Sequence, residues 1–421
     1  MINGFLKAGR LEEATRVFEG MVERDVVSWS SMVDGYCKKG RIVEARGLLD
    51  SMPLRNVVAW TAMIDGFGYM FEANRIFQMM NKKDVVSWNS LIAGYIQHDE
   101  IEEAYRLFEE MPGKDVVSWT TVISGFSAIG KVQKAIQLFK MMPEKDDVAW
   151  TAVISGFVNN RDYEEAFHWF IEMLKEAVKP NSLTLSSLLS ASAGLATLNQ
   201  GLQIHAHALK MDMQFDLFVQ NSLVSMYSKC GNVAEAYQVF TSINAPNLIS
   251  FNSMITGFSQ NGRGEQALQL FSKMEKESWE PNEITFLGIL SACTHVGLVE
   301  EGWKYFNLMK YVYNMEPSLD HYVCMVDLLG RAGLLDEAIN LIHSMPFEPH
   351  AGVWGALLGA SRVHFRLDLA KLAAQHLRKL EPNSAIPYVV LSELYNIAGK
   401  KKDGDRVRMA KNPRNKEESR L

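Results

Sequence analysis

The sequence has little of what usually marks an enzyme or a secreted module. Its four cysteines (Cys37, Cys230, Cys293, Cys324) stand far apart with no C-x-x-C pair. That excludes a disulfide framework and a thiolate zinc site, and they read as reduced, helix-packing residues. Only 12 prolines in 421 residues, with 48% hydrophobic and 22% charged residues, exclude a disordered chain. No apolar run reaches the roughly 18 residues needed to span a bilayer, so a membrane is not an expected partner. Positive charge is not in excess either: the net charge is −6. This does not advertise a nucleic-acid binder, but it leaves one open, because binding depends on where charge sits. A P-loop, a G-x-S-x-G elbow and a Gly-rich dinucleotide fingerprint are all missing.

What the chain does have is self-similarity. Val26-Val27-Ser28-Trp29-Ser30-Ser31-Met32 returns from Val57, from Val85 and from Val116, then from Asp147 and as Leu248-Ile249-Ser250-Phe251-Asn252-Ser253-Met254. Each unit carries two helical patterns. In the third, Ile92, Tyr95 and Ile96 mark one face of a first helix, and Ile101, Ala104, Leu107, Phe108 and Met111 the apolar stripe of a second. The fifteenth position is often glycine (Gly40, Gly130, Gly231, Gly262, Gly297, Gly333), suited to the left-handed turn that ends a helix. The tenth is often glycine too (Gly35, Gly94, Gly125, Gly156, Gly257), which costs about 1 kcal/mol in mid-helix and implies a close helix–helix approach. Met-Pro steps (Pro53, Pro112, Pro143, Pro346) stop the second helix. Neither helix can bury its stripe alone, so successive pairs must stack. The recurrent tryptophans (Trp29, Trp60, Trp88, Trp119, Trp150) share a face with core positions and are expected inside. The fold class is therefore all-α, a superhelical solenoid of tandem helix-turn-helix repeats.

These W-S/T-x-h-I-x-G-F/Y units resemble the plant pentatricopeptide repeat family, in its subclass of mixed repeat lengths, over almost the whole chain. The W-x2-L-G-x2-Y pattern of tetratricopeptide repeats is absent. The resemblance divides the chain into a partial repeat (1–25), ten repeats (26–56, 57–84, 85–115, 116–146, 147–181, 182–216, 217–247, 248–282, 283–318, 319–350), an extension of the family's E type (351–409) and a divergent basic tail (410–421). The segment from His321 to Gly333, then Val353–Ala360 and Tyr388–Ser392, resemble the terminal repeat and its two extension motifs. Such proteins serve organellar RNA processing, above all cytidine-to-uridine editing. Mitochondria are the expected location, with the chloroplast as alternative. Met1 falls at position seven of a repeat, so an organelle transit peptide is expected to be missing from this chain, and the repeat 57–84 is three residues short. The family's deaminase domain is not expected. His98-Asp99-Glu100 matches half of the H-x-E…P-C-x-x-C signature, without the cysteine half. His205 and His207, two apart, point to different helix faces. No catalytic residue, metal or cofactor is implied.

The resemblance implies single-stranded organellar RNA as partner, one base per repeat, and neither DNA nor membrane. Residues 351–409 are expected to recruit a separate deaminase or editing cofactor. Base selection falls to position five and the last position of each unit: Ser30 with Asn56, Thr61 with Asp84, Asn89 with Asp115, Thr120 with Asp146, Thr151 with Asn181, Asn221 with Asn247, and Asn252 with Asn282. Position two (Val27, Val58, Val86, Val117, Val148) is expected to pack on base faces. A last-position Asp accepts the imino N–H of guanine and uracil, and Asn suits adenine and cytosine, which lack it. Short Ser or Thr at position five leaves room for a purine, and the longer Asn reaches a pyrimidine. The pairs give a target A-G-U-G-A-N-Y-Y. Ser186/Asp216, Leu287/Ser318 and Val323/His350 fall outside the scheme. Asp before a helix is common for capping alone, but capping would not couple Asp/Asn variation to Ser/Thr/Asn variation elsewhere. Lys7, Lys38, Lys229 and Arg331, two residues before the turn glycine, are candidates to face phosphates. A cation in a helix's last turn is equally favoured by the dipole. A protein-binding helical scaffold is the alternative function.

Overall fold

The computed structural model describes residues 2–7, 9–53, 59, 62–63, 70–80 and 83–409. Among the described residues there are helices and no strand. They alternate as pairs, such as Val85–Gln97 with Ile101–Glu110 and Leu248–Gln260 with Gly264–Lys276. The chain forms two compact units, Met1–Leu195 and Ala196–Leu421. Within each, a first helix packs on the first helix of the next pair and on its own second helix, which also meets the pair that follows. This is the solenoid stacking that the amphipathic stripes require. The helices Ala351–Val363, Leu367–Leu380, Ile386–Ile397 and Lys401–Met409 continue the pairing to the end of the described chain.

Local chemistry sets where each helix begins. Asp25, Asp84, Asp115 and Asp146 precede first helices in extended backbone, and each accepts the amide N–H three residues on. Asn247 and Asn282 do the same. A serine or threonine at the third helical position returns a bond to the cap's own amide at Asp84, Asp115, Asn247 and Asn282. Such caps stabilise a helix by about 1 kcal/mol each.

Among the described residues the turn between paired helices is left-handed. Gly40, Gly130, Gly231, Gly262, Gly297 and Gly333 all have φ between 68° and 83°. Asp99, Arg161, Ala196 and Phe365 hold the same place with φ of 52–64° and no glycine. The tenth-position glycines do sit at close approaches. A Cβ on Gly156 would lie 2.5 Å from Ser127 Cβ, and one on Gly125 2.8 Å from Ile96 Cδ1.

Of the recurrent tryptophans, Trp60 lies outside the described residues, Trp119 is half-buried, and the rest are core. Trp29, Trp88 and Trp150 are buried, and each meets a phenylalanine of the preceding second helix edge-on. The pairs Phe18–Trp29, Phe77–Trp88, Phe108–Trp119 and Phe139–Trp150 have centroids 4.7–4.9 Å apart at 71–83°. Arg24, Lys83, Lys114 and Lys145 lie over those phenylalanine rings. One aromatic joint, capped by one cation, thus recurs at successive interfaces. Burial pushes the thiols of Cys293 and Cys324 up to about 12, as expected of inert packing cysteines. Among the described residues no cluster of three or more His, Cys, Asp or Glu could hold a metal. None of their helices is long and apolar enough to cross a membrane.

Candidate nucleic-acid interface

The last residue of each unit caps the next first helix, and position five sits one turn into the first helix of its own unit. Stacking therefore brings the two side by side. Asn89 Nδ2 donates to Asp115 Oδ1 at 3.2 Å, and Asn252 Nδ2 donates to Asn282 Oδ1 at 3.0 Å. The Thr151 hydroxyl reaches Asn181 Oδ1 at 3.4 Å. In two units the pair does not bond directly. Thr120 turns its hydroxyl to the Val116 and Val117 carbonyls, and Asn221 Oδ1 has no donor. Ser30 donates to the Val26 carbonyl. Asn56, Thr61 and Val58 lie outside the described residues, as do residues 410–421.

Capping uses only one terminal atom of the last residue. Oδ1 of Asp84, Asp115, Asp146, Asn247 and Asn282 accepts the helix amide at 2.8–3.0 Å. The outer atom, Oδ2 in Asp or Nδ2 in Asn, makes no hydrogen bond to the described residues. In Asp it is an acceptor and in Asn a donor. The Ser28 amide holds the Asp25 carboxyl below the usual carboxylate range. Partial burial pushes Asp115 up, but the Ser118 hydroxyl and amide and the Asn89 amide outweigh it, and its carboxyl is held low. Asp25 and Asp115 are therefore ionised acceptors at neutral pH.

Position five carries unmatched acceptors. Asn89 Oδ1, Ser186 Oγ and Asn221 Oδ1 are buried with no hydrogen-bond partner, which costs on the order of 1–3 kcal/mol each unless a ligand or solvent supplies a partner. Position two carries exposed apolar side chains: Val27, Val86, Val117 and Val148 are 50–64% exposed. Leu183, Phe218, Ile249 and Ile284 stand at the same place in later units and are equally exposed. Sequence reasoning passed over these four because they are not valine, although repeat register alone locates them.

Between the pairs starting at Leu248 and Glu283 these features surround a cavity of about 410 Å³. Its walls include Ile249, Ile284, Asn252, Asn282 and Lys229. Lys229 is exposed at the end of its helix. The other candidate cations differ: Lys38 pairs with Asp34 at 2.7 Å and Arg331 with Asp327 at 2.9 Å, both on their own helices. Lys7 ends the helix Ile2–Lys7, and its side chain lies outside the described residues.

Stacked helix pairs, each with one polar pair and one exposed apolar side chain in the same register, define an α-helical repeat protein. Family comparisons agree. A model described as PPR repeat family matches residues 83–114, 145–194 and 246–295. Two described as PPR repeat match 21–53 and 1–26, 117–146, 221–243, 284–311 and 320–348. The chain belongs to the pentatricopeptide repeat family. It is 61% identical over 245 residues to the pentatricopeptide repeat-containing protein At1g53600, mitochondrial, of Arabidopsis thaliana, which covers 58% of this chain and 34% of that protein. It is 42% identical over 256 residues to At3g49170, chloroplastic, of the same plant, with 61% and 30% covered. The chain thus spans about a third of the length of these relatives. Its fold matches the crystal structure of the pentatricopeptide repeat protein PPR10 from maize, with TM-score 0.63 at 19% identity over 96% of this chain and 66% of that one. For PPR10 in complex with an 18-nt psaJ RNA element the TM-score is 0.73 at 19% identity, with 96% and 63% covered.

Proposed function

We propose that the chain binds single-stranded RNA and selects one base per repeat, without catalysis of its own. The supporting observation is the divided use of the last-position side chain. Oδ1 is committed to capping, and the outer atom, acceptor in Asp and donor in Asn, is left to meet a base edge. The exposed position-two side chains supply apolar contact for base faces, in the manner of single-strand readers. The named relative PPR10 was crystallised with RNA, which favours this reading over a protein-binding scaffold.

The site is an organellar transcript, in mitochondria by the name of one relative and in plastids by that of another. The finer role is recognition for cytidine-to-uridine editing. The E-type reading of residues 351–409 assigns them to recruiting a separate deaminase, and the exposed Val363, Phe365, Ile386 and Val389 suit such a contact. Competition binding tests the reading. An RNA carrying A-G-U-G-A-N-Y-Y should resist displacement by a scrambled RNA of equal length. Equal displacement by both would leave the scaffold alternative.

A further inference from the structure

We infer that Asp147 is a further base-selecting residue, which makes the repeat 147–181 reject guanine and uracil more strongly than its Thr151/Asn181 pair alone would. The inference rests on the RNA reading above and deepens it at one site. Asn181 differs from the other last-position residues because both ends of its amide are engaged. Oδ1 accepts the Thr184 amide at 2.9 Å and the Thr184 hydroxyl at 3.0 Å, which fixes the amide's orientation. Nδ2 donates to Asp147 Oδ2 at 2.8 Å. Asp147 opens the first helix of the same repeat, where most other units carry Val or Leu (Val26, Val85, Val116, Leu217, Leu248) and the units 182–216 and 283–318 carry Ser182 and Glu283. Asp147 and Asn181 are both half-buried, and Asp147 adjoins exposed Val148, so the pair borders the surface that the position-two stripe defines. The Thr151 hydroxyl is occupied, bound to the Asp147 carbonyl at 2.7 Å and to Thr184 Oγ1 at 2.6 Å.

One hydrogen of the Asn181 amide remains, and beside it stands a carboxylate. A donor next to an acceptor matches one kind of base edge. Adenine and cytosine carry a ring-nitrogen acceptor beside an exocyclic amino donor, so both bonds form. Guanine and uracil carry an imino donor beside a keto oxygen. Their keto oxygen would face the Asp147 carboxylate, an acceptor against an acceptor, and that repulsion rejects them. Where the first residue is Val or Leu the outer atom of the last residue works alone.

The test uses the full chain and RNAs with A, C, G or U at the nucleotide facing this repeat, the fifth of A-G-U-G-A-N-Y-Y, read by fluorescence anisotropy. Asp147→Val places there the residue four other repeats carry, and Asp147→Asn preserves shape while removing the charge. Both should lower the adenine-to-guanine affinity ratio about fivefold or more, at the low end of what a matched pair discriminates. Ratios at the third nucleotide should not change. Asn181→Asp is the control for the underlying reading and should move the preference toward guanine. If Asn181→Asp shifts the preference and neither Asp147 variant does, Asp147 is only a helix-start acid and the inference is overturned while base reading stands. If no variant moves any ratio, base reading at this repeat fails with it.

Discussion

At the scale of single residues, neighbours in one helix do unrelated work. Trp88 is buried edge-on against Phe77, whereas Val86, two residues earlier, is 59% exposed. Trp88→Ala should cost about 3–5 kcal/mol of stability, seen as a lowered urea midpoint. Val86→Ala should leave that midpoint within experimental scatter and weaken RNA binding. A second residue-scale consequence concerns pH. His321 Nδ1 accepts from Ser318 while its Nε2 faces the Glu283 carbonyl at 2.9 Å, an arrangement only the neutral ring satisfies. Burial lowers the pKa of His321, and that of His205 likewise. With folded values below the unfolded 6.5, the stability these rings contribute is full above that pH and is lost as pH falls below it. Acidification below about 6.5 should therefore lower the unfolding midpoint, and replacing both histidines by glutamine should flatten the dependence. The tryptophan core was legible in the sequence, since ring and Ile share a helical face. The arrangement at Asp115 was not: capping and base selection read as rivals in one dimension, yet in three the cap takes only Oδ1 and leaves Oδ2 open.

At the scale of the helix pair, the turn carries the strain. Six repeats meet the left-handed requirement with glycine, and the sequence reading found those. It found no signal at Asp99, Arg161, Ala196 or Phe365, because a non-glycine residue in that place looks ordinary until its φ is known. A left-handed conformation costs such residues roughly 1–2 kcal/mol. Arg161→Gly should recover much of this as a higher unfolding midpoint. Gly156→Ala should do the reverse, because its new Cβ would press on Ser127. If Gly156→Ala were neutral, the close approach between these first helices would be wrong. The short repeat 57–84 could be recognised from its spacing, but residues 54–58, 60–61, 64–69 and 81–82 lie outside the described chain. The link between Asp147 and Asn181 escaped the sequence for a different reason. It joins the first and last residues of one repeat, 34 apart, and nothing in either helix's periodicity requires it.

At the scale of the whole molecule, a chain of net charge −6 would need local cations to bind a polyanion. Lys38 and Arg331 already hold carboxylates on their own helices. Such exposed pairs are worth about 0–1 kcal/mol, so a phosphate can displace them at small cost. Lys229 stands at the cavity between repeats. Lys229→Gln should lower affinity for all RNAs alike and reduce the log–log salt slope by about 0.7. The one-base-per-repeat claim is tested most directly at Asn89. Its Nδ2 rests on Asp115 and its Oδ1 is unmatched, and the pair is assigned to uracil. Asn89→Thr shortens the side chain and opens room for a purine, while Asp115 still requires an imino donor. Binding to RNAs that differ only at the third nucleotide should shift from uracil to guanine by several-fold or more, from about 1–3 kcal/mol per matched pair. Preferences at the second and fourth nucleotides should hold. A uniform loss of affinity for all four bases would contradict the account and make Asn89 a packing residue.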